Sequence, residues 1–359
     1  MPQQLNIAAM VAMSGGVDSA VCALLMREAG YDVTGVTMRL YGGGDKPSED
    51  GGEDNSPDIL RAKEVARALG IPHLVCHLEH TFCRAVVDEF VRAYLAGETP
   101  NPCVLCNKAI KFGALADFAT AHSLPVIATG HYARVEQNAS GLCTVKRALD
   151  ASKDQSYMLW SLDQSVLRRV RFPLGDLTKS EVRQMAAEAH LVNAQARDSQ
   201  DICFIPDGDY VAFIRRYAGH LPTPGHFVDT EGRVLGTHPG MLHYTVGQRK
   251  GLGMGFGRPL YVCDKNAQTG EVVLCDNDRL FRRSLSAREV NWISGTAPAA
   301  PLRVQAKIRY AHTPAEATVY QLDNTHARVE FDEAQRAIAR GQSVVFYDGD
   351  VLLGGGIIE

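Results

Sequence analysis

No apolar run in this 359-residue chain approaches the roughly 20 residues needed to cross a bilayer. The start of the chain also lacks the basic residues and small-residue cleavage site of a secretory signal. Membrane association and export are therefore not expected, and a cytoplasmic location is. Neither sign of charge dominates, since 37 basic and 41 acidic side chains leave a formal charge of −4. A nucleic-acid partner would have to be gripped by local basic patches, not by the field of the whole molecule. The nine cysteines are odd in number and irregularly spaced, unlike a secreted disulfide framework. Reduced thiols are expected, some of them reactive. The Gly-Lys-Ser/Thr of a Walker A loop and the G-x-G-x-x-G of a dinucleotide fold are also missing, which weakens kinase and dehydrogenase readings. A chain of this length suggests two or three domains.

What is present is Ser14-Gly15-Gly16-Val17-Asp18-Ser19, placed where the apolar run 5–13 gives way to helical periodicity. Val17, Ala20, Val21, Leu24 and Leu25 follow the i, i+3, i+4, i+7, i+8 pattern of an amphipathic helix. Backbone N–H groups of a Gly-rich turn, together with the positive end of the following helix, make an anion site, and phosphate is the obvious guest. The plain alternative is an ordinary strand-to-helix turn. Ser-Gly-Gly-x-Asp-Ser resembles the pyrophosphate loop of the ATP pyrophosphatases, which split ATP between its α and β phosphates to adenylate an acceptor oxygen. That resemblance implies that Asp18 helps to hold Mg²⁺.

Strand-like and helix-like segments alternate from residue 6 to 130, predicting a doubly wound α/β domain with a parallel sheet. The expected strands are 5–13, 32–40, 73–78 and 125–129; the expected helices are 17–29, 57–69, 81–96 and 107–121. Ligands should gather at the carboxyl ends of the strands. Residues 41–57 are rich in Gly, Asp and Glu and read either as a mobile lid over the nucleotide or as a plain disordered insertion. Residues 165–189 read as helical, with a turn at Phe172-Pro173-Leu174-Gly175 and a capping pattern at Thr178-Lys179-Ser180-Glu181. Beyond Pro206 the runs 261–264, 271–275, 302–310, 316–322, 327–331 and 343–347 are short and β-rich. The expected division is a nucleotide-binding domain over 1–205, a small mixed domain over 206–280, and a C-terminal β-barrel over 281–359.

Two cysteine stretches stand out. The prolines of Thr99-Pro100-Asn101-Pro102-Cys103-Val104-Leu105-Cys106 stiffen a loop expected to deliver Cys106 to the start of a helix, where the dipole, Lys108 and Lys111 would favour thiolate. A buried, inert thiol is the alternative. Cys203, in Asp198-Ser199-Gln200-Asp201-Ile202-Cys203-Phe204, has acidic neighbours that disfavour thiolate, though a more acidic persulfide would suffer less. Taken alone, it reads as structural.

Taken together, these stretches resemble the bacterial tRNA-specific 2-thiouridylases from end to end. The resemblance rests on Ser14 to Ser19, on Cys106-Asn107-Lys108 with Lys111-Phe112, and on Thr129-Gly130-His131-Tyr132-Ala133. It continues through Lys153-Asp154-Gln155-Ser156-Tyr157, the Asp198 to Phe204 stretch, Thr245-Val246-Gly247-Gln248-Arg249-Lys250-Gly251-Leu252 and Gly341-Gln342. It implies an enzyme that adenylates O2 of the wobble uridine in the tRNA anticodon loop and replaces that oxygen with sulfur. By the same resemblance Ala12, Met13, Ser14, Gly15, Gly16, Val17, Asp18 and Ser19, with Met38 and Gly130, hold ATP. A persulfide on Cys203, charged by an upstream sulfur relay or cysteine desulfurase, brings the sulfur. Cys106 then attacks it, leaving a Cys106 to Cys203 disulfide for a reductant to reset. Asn101, Pro102, Cys103, His131, Lys153, Asp154, Gln155, Arg309, Tyr310 and Gln342 would contact tRNA, and a monomer is implied.

The chain departs from that pattern at Cys103, where the family commonly has an Asp suited to acid–base work on the uridine. A thiol's ordinary pKa of roughly 8.5 against about 3.9 for Asp makes it no simple substitute. Cys103, Cys106 and Cys203 would also suffice to ligate a [4Fe–4S] cluster with one open iron; zinc lacks a fourth ligand at characteristic spacing. Ala12, where Gly is usual, should be harmless in extended backbone. Arg303, Lys307, Arg309, Tyr310 and His312 form one basic stretch and Gln248-Arg249-Lys250 another, either RNA contacts or solvated faces. The rival readings are a pyrophosphate-loop ligase acting on a small molecule and a redox-sensing RNA-binding module.

Overall fold

The computed structural model describes residues 7–40, 55–192, 202–219 and 223–359. Five parallel strands form the first sheet, in the order β3-β2-β1-β4-β7. They are β1 (Ala8–Ala12), β2 (Asp32–Arg39), β3 (His73–His77), β4 (Val126–Thr129) and, after the hairpin of β5 (Ala133–Gln137) and β6 (Cys143–Arg147), β7 (Val170–Arg171). Central β1 is apolar on both faces because helices cover both, and Ala9, Met10 and Val11 are fully buried. The α/β reading holds, and four of the five strands fall where the alternation put them.

The helix Val17–Glu28 buries Ala20, Val21, Cys22 and Ala23 completely. The helix Pro57–Leu69 begins with proline in its first turn and ends at Gly70 in the left-handed region, φ 65°. Ser56 caps its start by accepting from Ile59 N at 3.3 Å. Apart from its last three residues, the lid-or-insertion segment 41–57 lies outside the described residues.

The thiol-bearing helix starts five residues earlier than expected. Asn101 accepts from Cys103 N at 3.1 Å and Pro102 takes the first helical position, so cap and proline open the helix at Pro102–Leu105. Cys103, not Cys106, therefore occupies the first turn. The helix continues as a π-helical stretch, Cys106–Ala114, before returning to α geometry at Leu115–Ala121.

Beyond Tyr210–Ala218, a second sheet has the order β10-β11-β8-β9, from β8 (Gly225–Val228), β9 (Val234–His238), β10 (Tyr261–Asn266) and β11 (Glu271–Cys275). Seven cysteines are free, but Cys263 and Cys275 form a disulfide, which corrects the expectation that all thiols are reduced. Cys263 sits at a bulge in β10 between Val262 and Asp264, and its Cα lies 5.9 Å from that of Cys275, within bridging range.

The last six strands are β12 (Phe281–Trp292), β13 (Leu302–Lys307), β14 (Ala315–Gln321), β15 (Ala327–Arg336), β16 (Ser343–Asp348) and β17 (Val351–Ile358). Strand β12 pairs with both β15 and β17, which closes a six-stranded barrel. Strand β17 carries Gly354, Gly355 and Gly356 because the chain packs tightly there: a Cβ on Gly354 would meet Asn291 O, and one on Gly355 would lie 2.7 Å from Val344 O. The hairpin β5–β6, though it belongs to the first 205 residues, extends this C-terminal sheet through Val351↔Lys146 and Leu352↔Val145. Tyr157 OH donates to Ser343 O at 2.8 Å and Trp160 Nε1 to Ser343 Oγ at 3.0 Å, both buried. The parallel-sheet domain and the barrel are thus packed together. Among the described residues no helix is long and apolar enough to cross a membrane.

Candidate active site

The loop Ser14–Ser19 runs from the carboxyl end of β1 into the helix Val17–Glu28. Gly15 has φ 76°, a left-handed conformation that a side chain disfavours, and a Cβ there would lie 2.7 Å from Asp58 O. Gly16 caps the helix, and its N donates to Ser14 Oγ at 3.4 Å. Ser19 Oγ accepts from Ser14 N at 3.2 Å and donates to Gly16 O at 2.9 Å, which fixes the loop from within. A Cβ on Gly130 would stand 2.9 Å from the Asp18 carbonyl carbon and 3.1 Å from Ser19 N, so the end of β4 closes against the loop. Ala12 and Met13 enter the loop from β1, and Met38, next to last in the neighbouring β2, is in register with Cys76. Gly15 and Gly16 leave the backbone of the cradle without Cβ atoms, which lets a phosphate approach it and fits ATP.

Asp18 is not left open. Lys179 Nζ donates to both its oxygens, at 2.7 and 2.9 Å, and Tyr132 OH donates to Oδ1 at 2.9 Å. The sequence pattern Thr178 to Glu181 points to a helix cap only. The capping box is indeed formed, but its second residue, Lys179, also supplies the loop's cation. A lysine at the start of a helix that follows β7, the strand beyond β4, was the available signal.

The three sequence-predicted thiols converge. Phe204 is buried between Phe82, Phe90 and Phe213, with ring centroids 5.6, 5.4 and 5.3 Å away, and this anchors the Cys203 turn in the apolar cluster that also holds Cys106. Loss of solvent around its sulfur pushes the Cys203 thiol up to about 11, although the residue as a whole is exposed. Charge on Cys106 and Cys103 raises it further, and Lys111 opposes the shift. Burial likewise raises Cys106 and Cys103, again against Lys111. The expected thiolate-favouring environment of Cys106 is therefore corrected: it sits beyond the first turn, and burial outweighs the cation. Lys108 is turned away, 3.9 Å from Glu289. Asp198 and Asp201 lie outside the described residues.

Among the described residues no group of three or more His, Cys, Asp or Glu side chains is arranged to hold a metal. The three thiols do not fit an iron–sulfur cluster, and no step runs through one. Asp18 is the acid of the phosphate loop and the residue that would take Mg²⁺.

His131 is buried. Its Nε2 lies 3.4 Å from Lys111 Nζ and its Nδ1 2.7 Å from Thr129 Oγ1. Burial, then the Lys111 charge, holds it well below its ordinary pKa, so it is a neutral imidazole. Asn101 Nδ2 donates to Met158 Sδ at 3.3 Å beside Pro102 and Cys103. The Asp154 carboxylate, buried, accepts from Ala148 N, Ser156 N and Ser156 Oγ. Gln155 Oε1 accepts from Tyr132 N at 2.9 Å, and Lys153 N from the same turn donates to Asp150 O at 3.0 Å.

The barrel reaches this place. Tyr310 OH donates to Asp154 O at 3.0 Å; burial, then the Asp154 charge, raises its pKa, and Cys103 is near enough to add to the rise. Gln342 Nε2 donates to Thr99 O at 2.7 Å, and Thr99 N to Arg340 O at 2.8 Å. Arg309 Nη1 donates to Arg336 O at 3.2 Å. Arg303, by contrast, is held by Asp332 at 2.7 and 2.8 Å, which removes it from the expected basic stretch.

Comparison with known proteins assigns residues 7–207 to the family described as tRNA methyl transferase HUP domain, 211–276 to tRNA methyl transferase PRC-barrel domain and 282–358 to aminomethyltransferase beta-barrel domain. The chain is 45% identical over 356 residues to the tRNA-specific 2-thiouridylase MnmA of Clostridioides difficile (strain 630), covering 99% of each. It is 48% identical over 351 residues to that of Heliobacterium modesticaldum, covering 97% of this chain and 91% of the relative. Among solved structures, a 4-thiouridine synthetase–RNA complex with bound ATP aligns at 19% identity and a TM-score of 0.36, over 59% of this chain and 50% of that one.

Proposed function

The chain belongs to the tRNA-specific 2-thiouridylases, and from that membership we propose a division of labour among its residues. The protein is a tRNA sulfurtransferase that 2-thiolates uridine. A uracil carbonyl oxygen leaves poorly until it is esterified, and ATP supplies AMP as the leaving group. The loop of Ala12 to Ser19, with Met38 and Gly130, cradles the triphosphate; Asp18 takes Mg²⁺, and Lys179 is released from Asp18 towards the phosphates. The wobble uridine is splayed from the anticodon loop, where single-stranded bases can be unstacked, and its C2 is offered beside Asn101, Pro102 and Cys103. His131, Lys153 to Gln155, Arg309, Tyr310 and Gln342 grip the RNA around it.

A persulfide on Cys203, loaded by an upstream sulfur relay or a desulfurase, delivers the sulfur, and Cys106 resolves it. We take the enzyme to act as a cytoplasmic monomer. The observation that carries this reading is that Cys203, nearly a hundred residues from Cys106 in sequence, is flanked by Ile202 and Phe204 of the apolar cluster that holds Cys106, and lies near enough for charge on Cys106 to act on its thiol. The test incubates protein, ATP, a persulfide donor carrying labelled sulfur and tRNA, and follows both pyrophosphate and label in the anticodon base. Pyrophosphate released together with labelled tRNA supports the reading. Pyrophosphate without labelled tRNA, undiminished in Cys203→Ser, would point to a small-molecule ligase; no ATP turnover at all would point to an RNA-binding redox module.

A further inference from the structure

Transfer of sulfur needs anions where the protein has removed water. On the thiolation reading, the terminal sulfur of the Cys203 persulfide attacks C2 with its own electron pair. The C2–O bond breaks and O2 leaves in AMP. Cys106 thiolate then attacks Cys203 Sγ; the sulfur–sulfur bond breaks, its pair stays on the sulfur bound to C2, and that thiolate becomes the thiocarbonyl as N3 regains a proton. Two cysteine thiols are thereby oxidised to a disulfide and the transferred sulfur is reduced, with an external dithiol closing the cycle. Both attacks start from a sulfur anion, and the second ends on one. Burial opposes each.

Among the described residues, Lys111 is the cation whose charge acts on all three thiols, and the helix is wound to aim it. In an α-helix the residue five positions on lies about 140° around the axis, so Lys111 would point away from Cys106. The stretch Cys106–Ala114 is π-helical, and its wider turn, closed by i to i+5 hydrogen bonds, swings the residue five positions on back towards the same side, so Lys111 comes nearer the Cys106 face. Its ammonium has donors only, so His131 Nε2 at 3.4 Å must accept, and His131 Nδ1–H then donates to Thr129 Oγ1 at 2.7 Å. Phe112 and Phe172 hold the imidazole, with ring centroids 5.8 and 5.6 Å away. Among the described residues Lys111 has no carboxylate partner, whereas Lys179 is committed to Asp18 and Lys108 lies beside Glu289.

Resting on that thiolation reading, we infer that Lys111 is a catalytic residue of the sulfur-transfer half-reaction: its ammonium, held by His131 and Thr129, is the counter-ion for the sulfur anion that passes between Cys203, C2 of the uridine and Cys106. Cys103 shares that cation without being required for transfer.

The test measures alkylation of Cys106 by iodoacetamide against pH, read by mass spectrometry on the full chain, in the wild type, Lys111→Met, Lys111→Gln and Lys111→Arg. The expected result is a midpoint raised by about one pH unit or more in the Met and Gln variants and restored by Arg. Thiolation from preloaded persulfide should fall at least about tenfold in kcat, with the KM for tRNA and pyrophosphate release little changed. An unmoved midpoint in a variant that melts like the wild type, or pyrophosphate release falling in step with thiolation, overturns the inference. The alkylation arm needs no tRNA, so it reports on Lys111 even if the wild type fails to thiolate, which would instead defeat the functional reading.

Discussion

Lys179 Nζ stands 2.7 Å from Asp18 Oδ1 and 2.9 Å from Oδ2, joining the acid of the phosphate loop to a helix 161 residues further along the chain. The ammonium supplies Asp18 with a positive charge at the loop itself. Lys179→Met should slow ATP-dependent pyrophosphate release by about a hundredfold, the scale of losing one preorganised donor to a developing phosphate charge. Release at the wild-type rate would remove Lys179 from the phosphate site. Pyrophosphate kinetics at saturating tRNA make the measurement.

The two thiols should separate the half-reactions. Cys203→Ser and Cys106→Ser each lose thiolation below detection yet keep pyrophosphate release within about threefold, since neither side chain belongs to the Ser14–Ser19 loop. Cys103→Asp restores the commoner family residue and should retain sulfur transfer, as Cys103 caps no step in the proposed scheme. Quantifying 2-thiouridine in digested tRNA tests all three.

The pH profile of Cys203 follows from its surroundings. Its thiol is raised from the ordinary 9.0 to about 11, chiefly by burial. A raised thiol pKa means that between about pH 9 and 11 the unfolded chain binds fewer protons than the folded one. This group's contribution to stability is therefore complete below pH 9 and lost as pH climbs to 11. Alkylation of Cys203 in the resting enzyme should accordingly be slow at neutral pH, with a midpoint well above 9. A midpoint near 8 would contradict the geometry.

The barrel should matter even without RNA. Gln342 Nε2 holds Thr99 O at 2.7 Å, two residues before Asn101, so Gln342→Ala should cost about 1 kcal/mol, the usual net worth of one such bond. Gly341 has φ 85°, and a Cβ there would lie 2.8 Å from Glu98 Cβ and 3.0 Å from Thr99 N. Gly341→Val should cost more, on the order of 1–3 kcal/mol, through strain and collision together. Thermal melts of the full chain measure both, and no loss in either would detach the barrel from the catalytic loop.

Much of this was legible in the sequence where local pattern and fold agree. The parallel strands and the phosphate loop follow from apolar runs broken by Gly15 and Gly16, and the barrel strands β13 to β16 from short alternating runs. The rest depended on contacts between distant residues. Strand β17 was hidden by Gly354, Gly355 and Gly356, which look like a turn but are demanded by Asn291 and Val344 across the barrel. Hairpin β5–β6 gave no sign that it would pair with residues two hundred positions away. At the site, the cysteines and Asp18 declare themselves by motif, whereas Lys179 and the π-helical aim of Lys111 are set by where other elements pack. The helix start at Pro102 is readable from Asn101-Pro102, a capping residue followed by a first-turn proline, although Pro100 beside it equally suits a loop.

The most direct test of the account is a single turnover with enzyme preloaded with sulfur on Cys203, ATP and tRNA, quenched with an alkylating agent and mapped without reductant. The account predicts a Cys106–Cys203 disulfide appearing at the same rate and in the same amount as 2-thiouridine. Thiolated tRNA formed while both cysteines remain alkylatable would contradict it.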